Sequence, residues 1–216
     1  MAASQPCEMS DLGALVERVR VRAATGRRVI IGVVGCPGSG KSALAEALVR
    51  AIPGAAWVPM DGYHLADSEL ERLGRRGRKG AIDTFDAYGY LALLRRIRTE
   101  TGSIVYAPEF DRTLEQPIAG AIPVLPETAV VITEGNYLLD GDDPWSEVRG
   151  ALDEVWYRDV DDELRRARLV ARHVQFGKSE PDARAWVDAV DEPNAQRIIA
   201  GIVRADVVVR DLDLAR

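Results

Sequence analysis

The chain has 216 residues, of which 47% are hydrophobic and 29% are charged. This composition is typical of one globular domain and excludes a disordered or collagen-like chain. The 34 acidic and 28 basic residues leave a net charge of -6, which disfavours nucleic acid as a partner. Lys41, Lys79 and Lys178 are the only lysines, and all other basic residues are arginines. The position of a lysine in this chain is therefore informative.

No targeting or membrane segment is predicted. The stretch Met1–Ser10 lacks a basic flank and an apolar core, so it does not resemble a signal peptide. The longest apolar stretch, Val29–Gly38, is far shorter than the roughly 20 residues that a membrane span needs. Cys7 and Cys36 have neither a metal-binding nor a disulfide spacing. We therefore expect a cytoplasmic protein without a membrane partner.

Buried-type strands and amphipathic helices alternate along the chain. Continuous apolar runs predict five strands that are buried on both faces: Val29–Val34, Ala56–Met60, Ala129–Thr133, Glu154–Tyr157 and Asp206–Arg210. Helical periodicity predicts helices that begin after Ser10, at Lys41, after Asp86, after Asp161, and near Pro181 and Pro193. Residues 103–126 are predicted as an insertion with a little extended structure. The alternation predicts an α/β protein with a five-stranded parallel sheet, in a single domain over 1–216.

Residues 35–42 read GCPGSGKS, which is the phosphate-binding pattern G-x-x-x-x-G-K-[ST]. The glycines let successive N–H groups turn inward around phosphate oxygens, and the following helix adds the positive end of its dipole. In this pattern the lysine reaches the β and γ phosphates and acts in catalysis, while the serine hydroxyl ligates Mg²⁺. The motif predicts an ATP site made of Gly35, Cys36, Pro37, Gly38, Ser39, Gly40, Lys41, Ser42 and Ala43.

Two carboxylates come directly after buried strands. Asp61 follows the strand Ala56–Met60, and Glu134 follows Ala129–Thr133. Ligands of open parallel sheets bind beyond the carboxyl ends of the strands. Asp61 is therefore predicted to contact the substrate and to take the proton of an attacking hydroxyl. Glu134 is predicted to hold Mg²⁺ together with Ser42. The alternatives are a turn-forming Asp and a capping or solvated Glu.

The helix after Asp161 is rich in arginine. Arg165, Arg168 and Arg172 recur at helical spacing beside an apolar stripe. Three guanidiniums on one face can close over a triphosphate. We therefore predict a lid at about 161–178, with Arg168 and Arg172 as catalytic residues. A solvated surface helix is the alternative.

The remaining basic residues and the histidines are less specific. The run Arg72–Lys79 fits either an anionic substrate or a solvated loop. His64 stands beside Asp61 and is predicted to contact the substrate. His173 is predicted to be structural.

Four segments resemble, in order, the P-loop kinases that group pantothenate kinase, uridine kinase and phosphoribulokinase. They are GCPGSGKS, then DGYH from Asp61, then RKGAIDTFD from Arg78, and TEGNYLL around Glu134. The resemblance implies a P-loop NTPase three-layer fold with a helical lid and a small substrate-side insertion. It also implies Asp61 as the base, Ser42 and Glu134 on Mg²⁺, and lid arginines on the phosphates. The segment PNAQRI resembles the adenine-side segment of these kinases, which implies a nucleotide contact for Asn194.

The segment Ala107–Arg112 departs from pantothenate kinase. Phe110 stands where that family has a tyrosine, and Arg112 where it has a histidine. The whole pattern resembles more closely the bacterial proteins described as fructose-transport-associated or nucleoside kinase-like. We expect the acceptor pocket to be formed by Asp61, His64, Phe110, Asp111, Arg112 and Tyr137, and the acceptor to be a polyol, a sugar or a nucleoside.

The leading hypothesis is an ATP-dependent kinase that transfers the γ-phosphate to a hydroxyl of a small metabolite. Pantothenate kinase-like activity is one alternative, and a P-loop NTPase or nucleotide-binding regulator is another. The sequence contains neither the Asn-Lys-x-Asp motif of GTPases nor the Leu-Ser-Gly-Gly motif of transporter ATPases. Asp61 and Glu134 together favour a kinase, because a mere binder needs no base. The sequence leaves a homodimer open.

Overall fold

The computed structural model describes residues 5–212, and a parallel sheet forms its centre. The sheet has six strands in the order β1-β8-β7-β2-β6-β3. Their bounds are β1 (Cys7–Met9), β2 (Val29–Val34), β3 (Ala56–Pro59), β6 (Val130–Gly135), β7 (Glu154–Arg158) and β8 (Val207–Val209). The predicted α/β class is confirmed, with one strand more than the five expected.

The extra strand lies at the edge of the sheet. Sequence analysis did not predict Cys7–Met9 as a strand, because these residues show no apolar run. In the structure they pair in parallel with Val207–Val209 of β8. Backbone groups make this pairing, so an edge strand needs no apolar side chains. The thiols of Cys7 and Cys36 are both free.

Helices cover both faces of the sheet. Their bounds are α1 (Leu12–Ala23), α2 (Lys41–Ala51), α3 (Asp67–Arg72), α4 (Ala87–Thr99), α5 (Trp145–Gly150), α6 (Asp162–Gln175), α7 (Glu180–Trp186) and α8 (Glu192–Ile199). A π-helical turn, Val187–Asp191, joins α7 to α8. Asp11 caps α1 in place of the expected Ser10, since its side chain accepts a hydrogen bond from the N–H of Ala14 at 2.7 Å. Within residues 5–212 no helix is both long and apolar enough to cross a membrane.

The central strands have apolar side chains on both faces, and each face has its own core. On one face, Leu15 of α1 and Leu44 of α2 pack on the sheet around Trp156. On the other face, Tyr90 of α4 belongs to a larger core with Trp145 of α5. All residues of β2 and β6 are buried. This burial on both sides explains the continuous apolar run of β2 and the apolar start of β6, Val130–Ile132, whereas Thr133 and Glu134 are buried polar residues near its end.

The predicted insertion is an antiparallel hairpin. Its strands are β4 (Val105–Asp111) and β5 (Gln116–Val124), which is more regular structure than expected. The hairpin packs against the 3₁₀ turn Met60–Tyr63 that follows β3. A Cβ atom added at Gly62 would lie only 2.4 Å from the carbonyl oxygen of Pro108. Glycine is therefore required for the hairpin to approach this turn so closely.

Candidate active site

The parallel strands bring the predicted site residues to one edge of the sheet. Val34 of β2 pairs with Gly135 of β6, and Pro59 of β3 pairs with Glu134. The loops that follow these strands surround a cavity of about 490 Å³, called the central cavity below. The predicted site residues that line it are Pro37, Lys41, Ser42, Asp61, His64, Phe110, Arg112, Arg172 and Asn194. Its volume is in the usual range for small-molecule sites.

The phosphate-binding loop has the backbone geometry that its glycines predict. Gly38 and Gly40 have φ angles of 82° and 81°, which side chains rarely tolerate. A Cβ atom at Gly35 would lie 2.5 Å from the hydroxyl of the buried Ser39. Cys36 is also buried, with its sulfur 3.3 Å from the Tyr157 hydroxyl. These side chains pack into the protein, so the loop faces a ligand with its backbone N–H groups.

The first turn of α2 carries the polar side chains of the motif. Lys41 and Ser42 line the central cavity, whereas Ala43 is exposed and outside it. The Ser42 hydroxyl donates to Oε1 of Glu134 at 3.1 Å. Glu134 is only 3% exposed. Burial raises its pKa to about 7, and the positive charge of Lys41 opposes that rise.

The pair Ser42–Glu134 fits a Mg²⁺ ion. Mg²⁺ prefers oxygen ligands and keeps several waters, so it needs few protein groups. A buried carboxylate with a raised pKa gains from a nearby cation. Within residues 5–212 no group of three or more His, Cys, Asp or Glu side chains could hold a metal ion. Phosphate and water oxygens would therefore complete the coordination.

Asp61 and its neighbours form another part of the wall of the central cavity. Asp61 lies in the 3₁₀ turn after β3, and its Oδ2 accepts a hydrogen bond from Arg112 at 3.2 Å. Nδ1 of His64 lies 2.8 Å from the carbonyl oxygen of Asp61. The imidazole is between the rings of Phe85 and Phe110, at centroid distances of 4.1 and 4.8 Å. Burial lowers the pKa of His64, which favours the neutral ring.

The three predicted lid arginines, all in α6, have separate surroundings. Arg165 is buried and pairs with Asp162 and Glu192, so it holds the helix in place. Arg168 lies beside the phosphate-binding loop, with its Nη1 3.9 Å from the position of a Cβ at Gly40. Arg172 lines the central cavity. Of these three guanidiniums, that of Arg168 lies near the phosphate-binding loop and that of Arg172 lies at the central cavity.

The C-terminal part of α6 is tied to the π-helical turn before α8. Nε2 of His173 lies 2.8 Å from Oδ2 of Asp191 in the π-helical turn. Asn194, at the start of α8, lines the central cavity together with both of these residues. A contact of Asn194 with adenine stays a prediction.

The sequence indicated no function for Lys178, and Lys79 belongs to the run that fits either an anionic substrate or a solvated loop. Lys79 and Lys178 both line the central cavity, together with Lys41. The rarity of lysine in this chain was a signal for both. Lys178 places its ammonium 4.2 Å from the ring centroid of Trp186, which also lines the cavity.

The basic run Arg72–Lys79 is neutralised by carboxylates. Its cations pair with neighbouring acids, as follows: Arg72 with Glu69, Arg75 with Asp83, Arg76 with Asp67 and Glu71, Arg78 with Asp83, and Lys79 with Asp67. Arg76 and Lys79 line the central cavity. The positive charges of the run are thus compensated by neighbouring carboxylates, and the run is not a free cationic patch.

Two predicted acceptor residues are outside the lining of the cavity. The Asp111 carboxylate accepts hydrogen bonds from the N–H groups of Thr113 and Leu114, so it shapes the turn of the hairpin. Tyr137 is 1% exposed, and its hydroxyl donates to the carbonyl oxygen of Gly80 at 2.7 Å. Both residues support the wall of the cavity from outside.

Comparisons with known proteins give relatives that are called kinases. A Schizosaccharomyces pombe protein named "Putative uridine kinase" is 35% identical over 205 residues, which cover 87% of this chain and 85% of that protein. An Aspergillus versicolor protein named "ATP-dependent kinase-like protein" is 39% identical over 125 residues, which cover 55% of this chain and 73% of that protein.

A solved structure agrees with these relatives. The crystal structure of a "putative fructose transport system kinase" from Silicibacter sp. TM1040 has a TM-score of 0.83 and 37% identity to this chain. The match covers 93% of this chain and 99% of that one. No family model matches the chain. The chain shares its fold and its sequence with these kinases, and it has the glycine-rich phosphate-binding loop before α2. The chain therefore belongs to the P-loop kinases.

Proposed function

We propose that the protein transfers the γ-phosphate of ATP to a hydroxyl group of a small polyol, sugar or nucleoside. One observation carries this proposal: Lys41 and Ser42 of the phosphate-binding loop share the central cavity with Asp61. A phosphate donor held by the loop would therefore face a carboxylate that can act as a base. A protein that only binds nucleotides has no use for such a carboxylate.

The distribution of charge in the central cavity supports one end that binds the phosphates of ATP and another end that binds the phosphate acceptor. Among residues 5–212, Lys41, Arg172 and Lys178 have no carboxylate partner within salt-bridge distance. Free cations that face one cavity suit the phosphates of ATP. Lys79, by contrast, donates to Asp67 at 2.7 Å. Arg112 likewise pairs with Asp61. Because these two cations already have carboxylate partners, the acceptor side favours a hydroxylated molecule over a strongly anionic one.

The aromatic wall supports an acceptor with a flat face. His64 and Phe110 line the cavity beside Asp61. Nδ1 of His64 lies at the carbonyl oxygen of Asp61, which can only accept a hydrogen bond, so Nδ1 carries the proton of the neutral ring. Nε2 is then free to accept a hydrogen bond from an acceptor hydroxyl. A sugar ring or a base can stack on Phe110 while its hydroxyls reach Nε2 and Asp61.

The chemical step follows from these positions. Asp61 accepts the proton of the acceptor hydroxyl, whose oxygen forms a bond to the γ-phosphorus while the bond to the bridging oxygen of ADP breaks. Lys41 stabilises the negative charge on the phosphates. Arg172 of the lid would contact the same charge and help to exclude water. Mg²⁺, held by Ser42 and Glu134, would supply further charge neutralisation.

The names of the relatives agree with this acceptor class. One relative is named for uridine and one for a fructose transport system. Uridine has sugar hydroxyls and a flat base, and fructose has several hydroxyls. Both fit the combination of a base, a hydrogen-bond acceptor and an aromatic wall.

The test is ADP formation with and without a panel of acceptors. The panel contains hexoses, pentoses, polyols, nucleosides and pantothenate, each with ATP and Mg²⁺. We expect at least one sugar, polyol or nucleoside to raise the rate by about 10-fold or more, with one phosphorylated product per ADP. Stimulation by pantothenate alone would replace the proposed acceptor class. An equally fast rate without any acceptor would contradict a kinase and indicate an NTPase.

A further inference from the structure

Arg112 forms an ion pair with the proposed base. Its Nη2 lies 3.2 Å from Oδ2 of Asp61. Arg112 directly follows β4, in the turn of the β4–β5 hairpin, and is 51 residues from Asp61 in sequence. The Asp61 side chain is 26% exposed and that of Arg112 is 56% exposed. The two side chains are thus joined by one long hydrogen bond that is accessible to solvent, and such an ion pair is easily broken.

The pairing is specific, although other acids are available. The hairpin carries carboxylates at Glu109, Asp111 and Glu115, all close to Arg112 in sequence. Asp111 uses its carboxylate to bind the backbone of the hairpin turn. Within residues 5–212, Asp61 is the one carboxylate within salt-bridge distance of Arg112. The fold therefore directs this guanidinium to the base and not to its nearest acids.

The backbones on both sides of the ion pair are fixed relative to each other. Gly62, next to Asp61, packs directly on the carbonyl group of Pro108 in β4. Phe110 contacts His64, and its ring lies 5.8 Å from the guanidinium carbon of Arg112. The hairpin and the turn that carries Asp61 are therefore one packed unit. The movable part is the long, half-exposed side chain of Arg112.

We propose that Arg112 is a positioning residue that keeps Asp61 from activating water when no acceptor is bound. This inference rests on the proposed function. While Arg112 binds Oδ2, the carboxylate has one oxygen fewer for a water molecule. A bound acceptor offers its own hydroxyl to Asp61 and further oxygens to Arg112, so the guanidinium moves from the base to the acceptor. Arg112 would then set the ratio of phosphate transfer to ATP hydrolysis.

The side reaction that Arg112 suppresses is a balanced step. A water oxygen forms a bond to the γ-phosphorus, the bond to the bridging oxygen of ADP breaks, and the water proton passes to Asp61. Inorganic phosphate and ADP are the products, and Asp61 returns the proton to solvent. No group beyond those of the proposed transfer reaction takes part.

The test is ATP hydrolysis without acceptor by Arg112→Ala and by Arg112→Gln. We expect inorganic phosphate to form about 10-fold faster than in the wild type, because Asp61 is free to bind water. The double variant Arg112→Ala/Asp61→Asn separates this cause from others, and we expect the increase to disappear in it. Arg95→Ala is the matched control, since Arg95 is 60% exposed and pairs with Glu147 on another surface. Thermal melting establishes that each variant is folded.

Two results would overturn the inference. One is hydrolysis by folded Arg112→Ala and Arg112→Gln at the rate of the wild type, and the other is an increase that persists in the double variant. Neither result contradicts the proposed function, which is tested by acceptor-stimulated ADP formation by the wild type. Conversely, a wild type that hydrolyses ATP rapidly and ignores every acceptor contradicts the proposed function.

Discussion

Replacing Glu134 by glutamine should stabilise the nucleotide-free protein while it impairs the kinase. Glu134 is 3% exposed and accepts one hydrogen bond, from Ser42 at 3.1 Å. Burial raises the pKa of this carboxyl from the ordinary 4.5 to about 7. The charged form is therefore unfavourable in the folded protein. Glutamine has nearly the same shape and carries no charge.

The size of the effect follows from the pKa. A rise from 4.5 to about 7 corresponds to roughly 3 kcal/mol, at about 1.4 kcal/mol per pH unit. The pKa is higher in the folded than in the unfolded chain, so the protonated carboxyl contributes stability. That contribution is complete below pH 4.5 and is lost as the pH rises through about 7. Because the amide of glutamine needs its own partners, we expect a net gain of about 1 to 2 kcal/mol at alkaline pH.

The assay is thermal unfolding with EDTA and without nucleotide, at about pH 5 and about pH 8.5. Glu134→Gln should melt about 3 to 6 °C above the wild type at the higher pH, and the difference should shrink at the lower pH. Glu17→Gln is the control, since Glu17 is exposed on α1. Mg²⁺ and ATP should then stabilise the wild type more than Glu134→Gln. A melting temperature at alkaline pH that is equal to or below that of the wild type would refute this reasoning.

Three further substitutions test other parts of the site. Lys41→Ala should lower kcat by at least about 100-fold, because Lys41 is the one lysine of the phosphate-binding motif; a folded variant with normal turnover in a steady-state assay would contradict this. Arg172→Ala should lower kcat by about 10-fold or more without lowering the melting temperature. Arg165 is buried, so Arg165→Ala should lower the melting temperature without a comparable loss of kcat in the folded protein. Gly62→Ala should destabilise the fold by about 2 kcal/mol, measured by urea unfolding, since its Cβ would lie 2.4 Å from the carbonyl of Pro108. An unchanged unfolding midpoint would show that the hairpin adapts.

The parts of the site that depend on local sequence were predictable. The phosphate-binding loop is a contiguous motif, and its strand and helix follow from continuous and periodic apolar residues. Asp61 and Glu134 could be placed near it because parallel strands end at one edge of a sheet. The pairing of Pro59 with Glu134 confirms that alignment of strand ends.

The parts that depend on packing between distant segments were not predictable. The edge strand Cys7–Met9 forms through hydrogen bonds of its backbone with β8. These bonds do not depend on side chains, and three residues are too few to show a strand-like pattern of apolar residues. The arginine stripe of α6 did not reveal that Arg165 turns inward to pair with Glu192. Lys178, between α6 and α7, lines the same cavity as Lys41. The periodicity of apolar residues does not predict such contacts, because they join residues that are far apart in the chain.

The role of Asp61 as the base is tested most directly by the steady-state rate of acceptor phosphorylation by Asp61→Asn, with ATP as the varied substrate. Asparagine keeps the shape of the side chain but cannot accept the proton of the hydroxyl. We expect kcat to fall by at least about 100-fold while KM for ATP stays within about 3-fold of the wild type. A variant that phosphorylates its acceptor at the rate of the wild type would contradict the assignment of Asp61 as the base.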